Sequence, residues 1–204
     1  SSPFADQPTI VGPSASRIAC LEFTVSTPSA PIILADLTFA WPDGNTVLDG
    51  IAGTFAPGRT GLVGRNGSGK STLLRLIAGE LTPVSGTIEA AGPVGYLRQT
   101  ASYDADSSVA DLLGIGAVIA AIKSIEAGDT EPQLFEIIGD DWDIEARAAE
   151  VLARIGFAGL RLDRRVDELS GGESMLIAIA GLRVRRTPIS LLDEPTNNLD
   201  RAAR

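Results

Sequence analysis

Gly64-Arg65-Asn66-Gly67-Ser68-Gly69-Lys70-Ser71 follows a short strand-like run, Thr60 to Val63, and opens a helical pattern, Ser71 to Ala78, that Gly79 stops. Leu73, Leu74 and Ile77 share one face of that helix. Strand, glycine-rich loop and helix form the context in which G-x-x-x-x-G-K-[ST] holds phosphate: glycines let backbone N–H groups curl around phosphate oxygens at a helix N-terminus. In this reading Gly64, Asn66, Gly67, Ser68 and Gly69 form the cradle. Lys70 meets the β- and γ-phosphates as a point charge, the Ser71 hydroxyl coordinates Mg²⁺, and Thr72 adds a phosphate contact. An ordinary glycine-rich turn matches the pattern by chance in on the order of one chain in a hundred of this length.

Phosphate transfer also needs a carboxylate for the divalent ion. The apolar run Ile189 to Leu192 ends at Asp193 and Glu194, which reads as a buried strand with acids at its tip. Asp193 is the natural metal holder, and Glu194 is placed to orient or deprotonate an attacking water. Ser190 interrupts the run, so one strand face is expected to be less buried or hydrogen-bonded. Upstream, Ser170-Gly171-Gly172-Glu173 starts another helix, whose stripe is Leu176, Ile179, Ala180 and Val184 and whose last turns carry Arg183, Arg185 and Arg186. Ser170 and Glu173 have capping-box spacing. The same orphan amides suit a γ-phosphate, and the residues alone leave both readings open.

The order GRNGSGKST, LSGGE, LLDEPTNNLD resembles the ATP-binding-cassette (ABC) ATPase family, from about residue 32 to the chain end. The resemblance implies an α/β fold: a P-loop NTPase core of the ABC ATPase type with an antiparallel β portion and a helical insertion at about residues 101–168. It implies that ATP and Mg²⁺ are bound. It also implies that Trp41 stacks on adenine, that Gln99 in GYLRQ senses the metal and water, and that Asp200 communicates across a dimer. In that family two cassettes pack head to tail, so Ser170, Gly171, Gly172 and Glu173 act in trans on a nucleotide held by the partner's loop. The second cassette is then a tandem domain or a second copy of the chain.

The asparagine pair in DEPTNNLD, with glutamate in LSGGE, is similar to the ABC-F branch, whose members are soluble and many of which act at the ribosome. The family's switch histidine follows the acid-tipped strand. This sequence contains no histidine and ends at Arg204, so it resembles a first cassette cut short near its C-terminus, with little turnover expected of it alone. A transporter's nucleotide-binding subunit and an inactive truncated module are the rival readings.

Elsewhere the chain is less specific. Residues 1–31 hold five of the twelve prolines among Ser, Thr and Ala, and are expected to form a flexible leader before a cassette spanning 32–204. The first strong strand signal, Ile32 to Leu34 and Leu37 to Phe39, runs into turn chemistry at Pro42-Asp43-Gly44-Asn45. Residues 87–99 read as a hairpin turning at Gly92-Pro93, and the pattern from Val109 to Arg165 is largely helical.

Composition narrows the partners. A net charge of −9 gives no diffuse cationic field for nucleic acid, so any RNA contact has to be local or supplied by sequence outside this chain. The single cysteine, Cys20, closes no disulfide within the chain, which suits the cytoplasm. The apolar stretch Leu112 to Ile125 is broken by Gly114, Gly116 and Lys123 and falls short of the roughly 20 apolar residues of a spanning helix, so no membrane insertion is expected.

Overall fold

The computed structural model describes residues 9–10, 18–23, 31–98 and 106–194. They fall into two compact units: one takes the described residues up to Tyr96 together with Pro188–Asp193, the other the described residues from Leu97 to Thr187 together with Glu194.

In the first unit β1 (Thr9–Ile10) and β2 (Ile18–Phe23) lie within the segment expected to lack regular structure. The run Ile18-Ala19-Cys20-Leu21 is apolar enough to add to a sheet, and β2 pairs antiparallel with β5 (Arg59–Val63), the strand entering the glycine-rich loop. A second sheet has β3 (Ile32–Ala40) at its centre, antiparallel to both β4 (Thr46–Phe55) and β6 (Ser85–Ala90). Along β3, Ile32, Leu34, Leu37 and Phe39 are buried, while Ala35 and Asp36 are exposed in succession. That break in the two-residue alternation is a bulge: the pairing register shifts there and Asp36 takes φ 46°. The extra residue keeps the second half of the strand facing the core.

Helix α1 (Lys70–Ile77) buries Leu73, Leu76 and Ile77. Leu76 thus occupies the core-facing position that periodicity gave to Leu74, which is only partly buried and packs at the edge of the same cluster. These side chains join Leu48 and Ile51 of β4, the β3 residues, and Ile189 and Leu191 of β8 (Ile189–Leu192) in one hydrophobic core. The expected hairpin over 87–99 is not formed. Strand β6 pairs with β3, whereas β7 (Val94–Leu97) neighbours β8 in a separate two-stranded sheet. Gly92 and Pro93 do turn the chain, but turn chemistry alone does not choose a strand's partner, and the Pro93 carbonyl accepts from the Ile189 amide instead. Strand β8 is half-buried rather than fully buried, with Ser190 exposed and Leu192 40% exposed.

The second unit is mainly helical: α2 (Val109–Leu112), α3 (Gly116–Glu126), α4 (Pro132–Ile138), α5 (Ile144–Arg154) and α6 (Gly171–Val184). It extends beyond the 101–168 span because α6 packs into it. Ile177, Ala180 and Val184 of α6 join α2, α3 and α5 in one core cluster, and Met175, Ala178 and Leu182 meet Leu97 in another. The helix is therefore buried on more than the single stripe its periodicity suggested. Arg147 of α5 is buried at 9% exposure yet fully engaged: Nε donates to the Val184 carbonyl at 2.7 Å, and the guanidinium pairs with Asp141 and Asp143. A buried cation is tolerable with such partners, and this one also satisfies a carbonyl at the end of α6.

Gly181 sets how closely α6 approaches α2. A Cβ there would lie 2.5 Å from the Leu113 carbonyl oxygen and 2.8 Å from its Cα. Helix propensity favours alanine over glycine by about 1 kcal/mol, so the close contact predicts the opposite sign. Gly181→Ala is expected to destabilise the protein by about 1–3 kcal/mol in urea denaturation; a stabilised variant contradicts the packing.

Candidate functional site

The loop between β5 and α1 is built for close approach to β4. Gly69 caps α1 at φ 93°, and a Cβ there would meet Val47 Cγ1 at 2.9 Å and Leu48 Cδ2 at 3.0 Å. Only glycine combines that left-handed backbone with that contact. The helix has no side-chain cap and no acid in its first turn, so nothing in its own sequence neutralises the positive end of the dipole. The Lys70 ammonium folds back over the loop and donates to the carbonyls of Gly64 and Arg65, each at 2.9 Å. Arg65, Asn66, Gly67 and Ser71 are exposed, and Gly64 and Thr72 are half-buried.

One atom in the loop bears on what it holds. Ser68 Oγ is buried and has no hydrogen-bond partner among the described residues. Leaving such a hydroxyl unpaired costs about 1–3 kcal/mol, which a phosphate oxygen accepting from it would relieve. The orphan hydroxyl, the uncapped helix start and the Lys70 cation fit a bound anion of the ATP phosphate type.

Trp41 lies where β3 turns into β4, half-buried, its ring edge-on to Phe39 at 5.0 Å between centroids. The Arg75 guanidinium of α1 sits 6.0 Å from the Trp41 ring centroid, a cation–π distance, and also pairs with Glu80 at 3.3 Å.

At the tip of β8, Asp193 is buried at 6% exposure, and Oδ2 accepts a hydrogen bond from the Tyr96 hydroxyl at 3.1 Å. Burial, then the Asp193 charge and hydrogen bond, push the Tyr96 phenol above its ordinary range, so it stays a donor. Sequence reading missed Tyr96. The available signal was a hydroxyl in an apolar strand just before Gln99, but its partner lies 97 positions away. Among the described residues no three His, Cys, Asp or Glu side chains cluster as a metal site, and Mg²⁺ commonly rests on one or two carboxylates with water and phosphate, a part the buried Asp193 carboxylate could play. Glu194 is exposed and holds φ 45°, a left-handed backbone that costs a non-glycine residue about 1–3 kcal/mol and is enriched at functional sites.

Ser170 realises the capping box on α6. Its hydroxyl accepts from the Glu173 amide at 3.2 Å, and Glu173 Oε2 accepts from the Ser170 amide at 2.7 Å. Hydrogen bonds from the Ser170 amide and hydroxyl, with the charge of Arg164, hold the Glu173 carboxyl below its usual range. Gly171 is exposed at the first turn. The cap and the phosphate reading are compatible, because a capping box satisfies only some of the four orphan amides of a helix start. Gln99 and Asp200 lie outside the described residues.

A family model described as ABC transporter matches residues 48–197. The tylosin resistance ATP-binding protein TlrC of Streptomyces fradiae is 34% identical, with 86% of this chain and 36% of that protein aligned. The probable ATP-binding protein YheS of Escherichia coli K12 is 32% identical over 83% of this chain and 24% of its own length. This chain thus spans about a quarter to a third of those relatives. Among solved structures, an ATP-binding subunit of an ABC transporter shares the fold with a TM-score of 0.56 at 20% identity, covering 84% of this chain and 69% of that one.

Proposed function

This chain belongs to the ABC transporter family of ATPase domains, and on that premise we propose that it is a Mg-ATP-binding cassette of an ABC-F-like protein that hydrolyses ATP when paired with a second cassette. The observation that carries the nucleotide reading is the Gly64–Ser71 loop, with Lys70 folded over it and Ser68 Oγ buried without a partner. Lys70 and the loop amides hold the phosphates and stabilise the charge that grows on them. Ser71, Asp193 and, by the resemblance of GYLRQ, Gln99 would hold Mg²⁺, which would supply further positive charge at the phosphoryl oxygens. Glu194 takes the proton of the attacking water. Trp41 offers its ring to the adenine, a role that requires Arg75 to share or yield that face.

Ser170, Gly171 and Gly172 present the remaining amides of the α6 start to a nucleotide held by another cassette, with Glu173 keeping Ser170 in place and Asp200 relaying between cassettes. The ABC-F placement draws support from Asn197-Asn198 and from Glu173 in LSGGE. A relative named for tylosin resistance fits a resistance or translation role in the cytoplasm better than a transporter motor. Among the described residues no helix is long and apolar enough to cross a membrane.

Co-sedimentation tests the placement. The full-length protein, locked with ATP by Glu194→Gln, is expected to pellet with ribosomes in an ATP-dependent manner. Recovery entirely in the supernatant, with ATP bound, overturns the ABC-F reading in favour of a transporter subunit.

A further inference from the structure

We infer that Tyr96 is a positioning residue that holds the Asp193 carboxylate in a one-oxygen presentation to a divalent ion, and so sets the preference of the site for Mg²⁺ over Ca²⁺. The inference rests on the reading of Asp193 as the metal carboxylate. An ionised carboxylate offers two oxygens and about four lone-pair directions. Among the described residues Oδ2 is engaged by the Tyr96 hydroxyl at 3.1 Å, whereas Oδ1 is not hydrogen-bonded. The phenol is held by its strand. Tyr96 belongs to β7, the neighbour of β8 whose end carries Asp193, and its ring packs against the same core as Leu191.

With Asp193 only 6% exposed, water is a poor substitute for that donor. The carboxylate is therefore fixed in rotation and one of its oxygens is occupied. Ca²⁺ takes six to eight oxygens and favours bidentate carboxylates, while Mg²⁺ demands a tight octahedron of single oxygens. A carboxylate whose second oxygen is already bonded suits the smaller ion. Removing the phenol oxygen frees Oδ2 and lets the group rotate toward a bidentate grip.

The test uses Mn²⁺ as the octahedral probe, with the free ion followed by electron paramagnetic resonance, and Ca²⁺ as competitor, both with adenylyl imidodiphosphate bound. Tyr96→Phe is expected to weaken Mn²⁺ by about 10-fold, the lower end of the range for losing an outer-shell partner, and to weaken Ca²⁺ less, so that the Mn²⁺/Ca²⁺ ratio falls. Nucleotide affinity in EDTA and the melting temperature are expected to hold. An unchanged ratio overturns the inference, as does an equal loss of both ions together with nucleotide binding in EDTA, which marks a merely structural tyrosine. Asp193→Asn separates this failure from that of the underlying reading. It is expected to abolish Mn²⁺ binding, and if Mn²⁺ still binds it at wild-type strength, both the metal reading and this inference fall. Should Tyr96→Phe not fold, 3-fluorotyrosine incorporated in a Tyr103→Phe background gives a stronger donor of nearly the same shape. It must move the ratio upward, and no movement counts against the inference.

Discussion

Glu194→Gln, in a protein containing both cassettes, is expected to keep ATP bound and to lose turnover by about 10²–10⁴-fold. The amide has the shape of the carboxylate but cannot accept a proton from water, and general-base help is felt only in the transition state. The backbone at 194 makes the comparison clean. Both side chains sit on the same left-handed φ of 45°, so strain is common to the two proteins and does not enter the difference. Single-turnover phosphate release measures the chemical step, and filter retention of labelled ATP measures binding. Wild-type release in the variant assigns the base to another residue.

Lys70→Ala is expected to weaken ATP by about 1.5–3 kcal/mol, the worth of a charge-assisted hydrogen bond, while the domain stays folded. The same ammonium now bonds the Gly64 and Arg65 carbonyls, both at the loop's entrance, so its loss also loosens the cradle. That local cost is small, because those carbonyls lie near solvent and water can replace the lysine. A fluorescent ATP analogue reports affinity and a thermal melt reports folding. Unchanged affinity in a folded variant removes Lys70 from the phosphates.

The strand, glycine-rich turn and helix around Gly64–Ser71 were legible because their signals are local. The left-handed turn at Gly69 follows from the loop's own glycines, though the contact that also bars a side chain there comes from Val47 and Leu48 of β4, and Ser170 with Glu173 forms its box over three positions, as the spacing predicted. The features that escaped depend on distant partners. The bulge at Asp36 answers to two neighbouring strands, and the strand after Pro93 takes its partner from β8 rather than from the preceding strand. Tyr96 and Arg147 could not be singled out, since Asp193 and the Val184 carbonyl reach them only after folding. In α6 a single apolar stripe was expected, yet the helix is buried between two clusters, which small residues such as Ala178 and Gly181 permit. Local periodicity reports one face; it does not count the neighbours.

Calorimetric titration of ATP into the folded protein, with Mg²⁺ and again in EDTA, asks whether the Gly64–Ser71 loop with Asp193 forms a Mg-ATP site. Saturable binding of one nucleotide per chain is expected, weaker when the metal is removed. A cooperatively melting protein that returns only dilution heat under both conditions would contradict it.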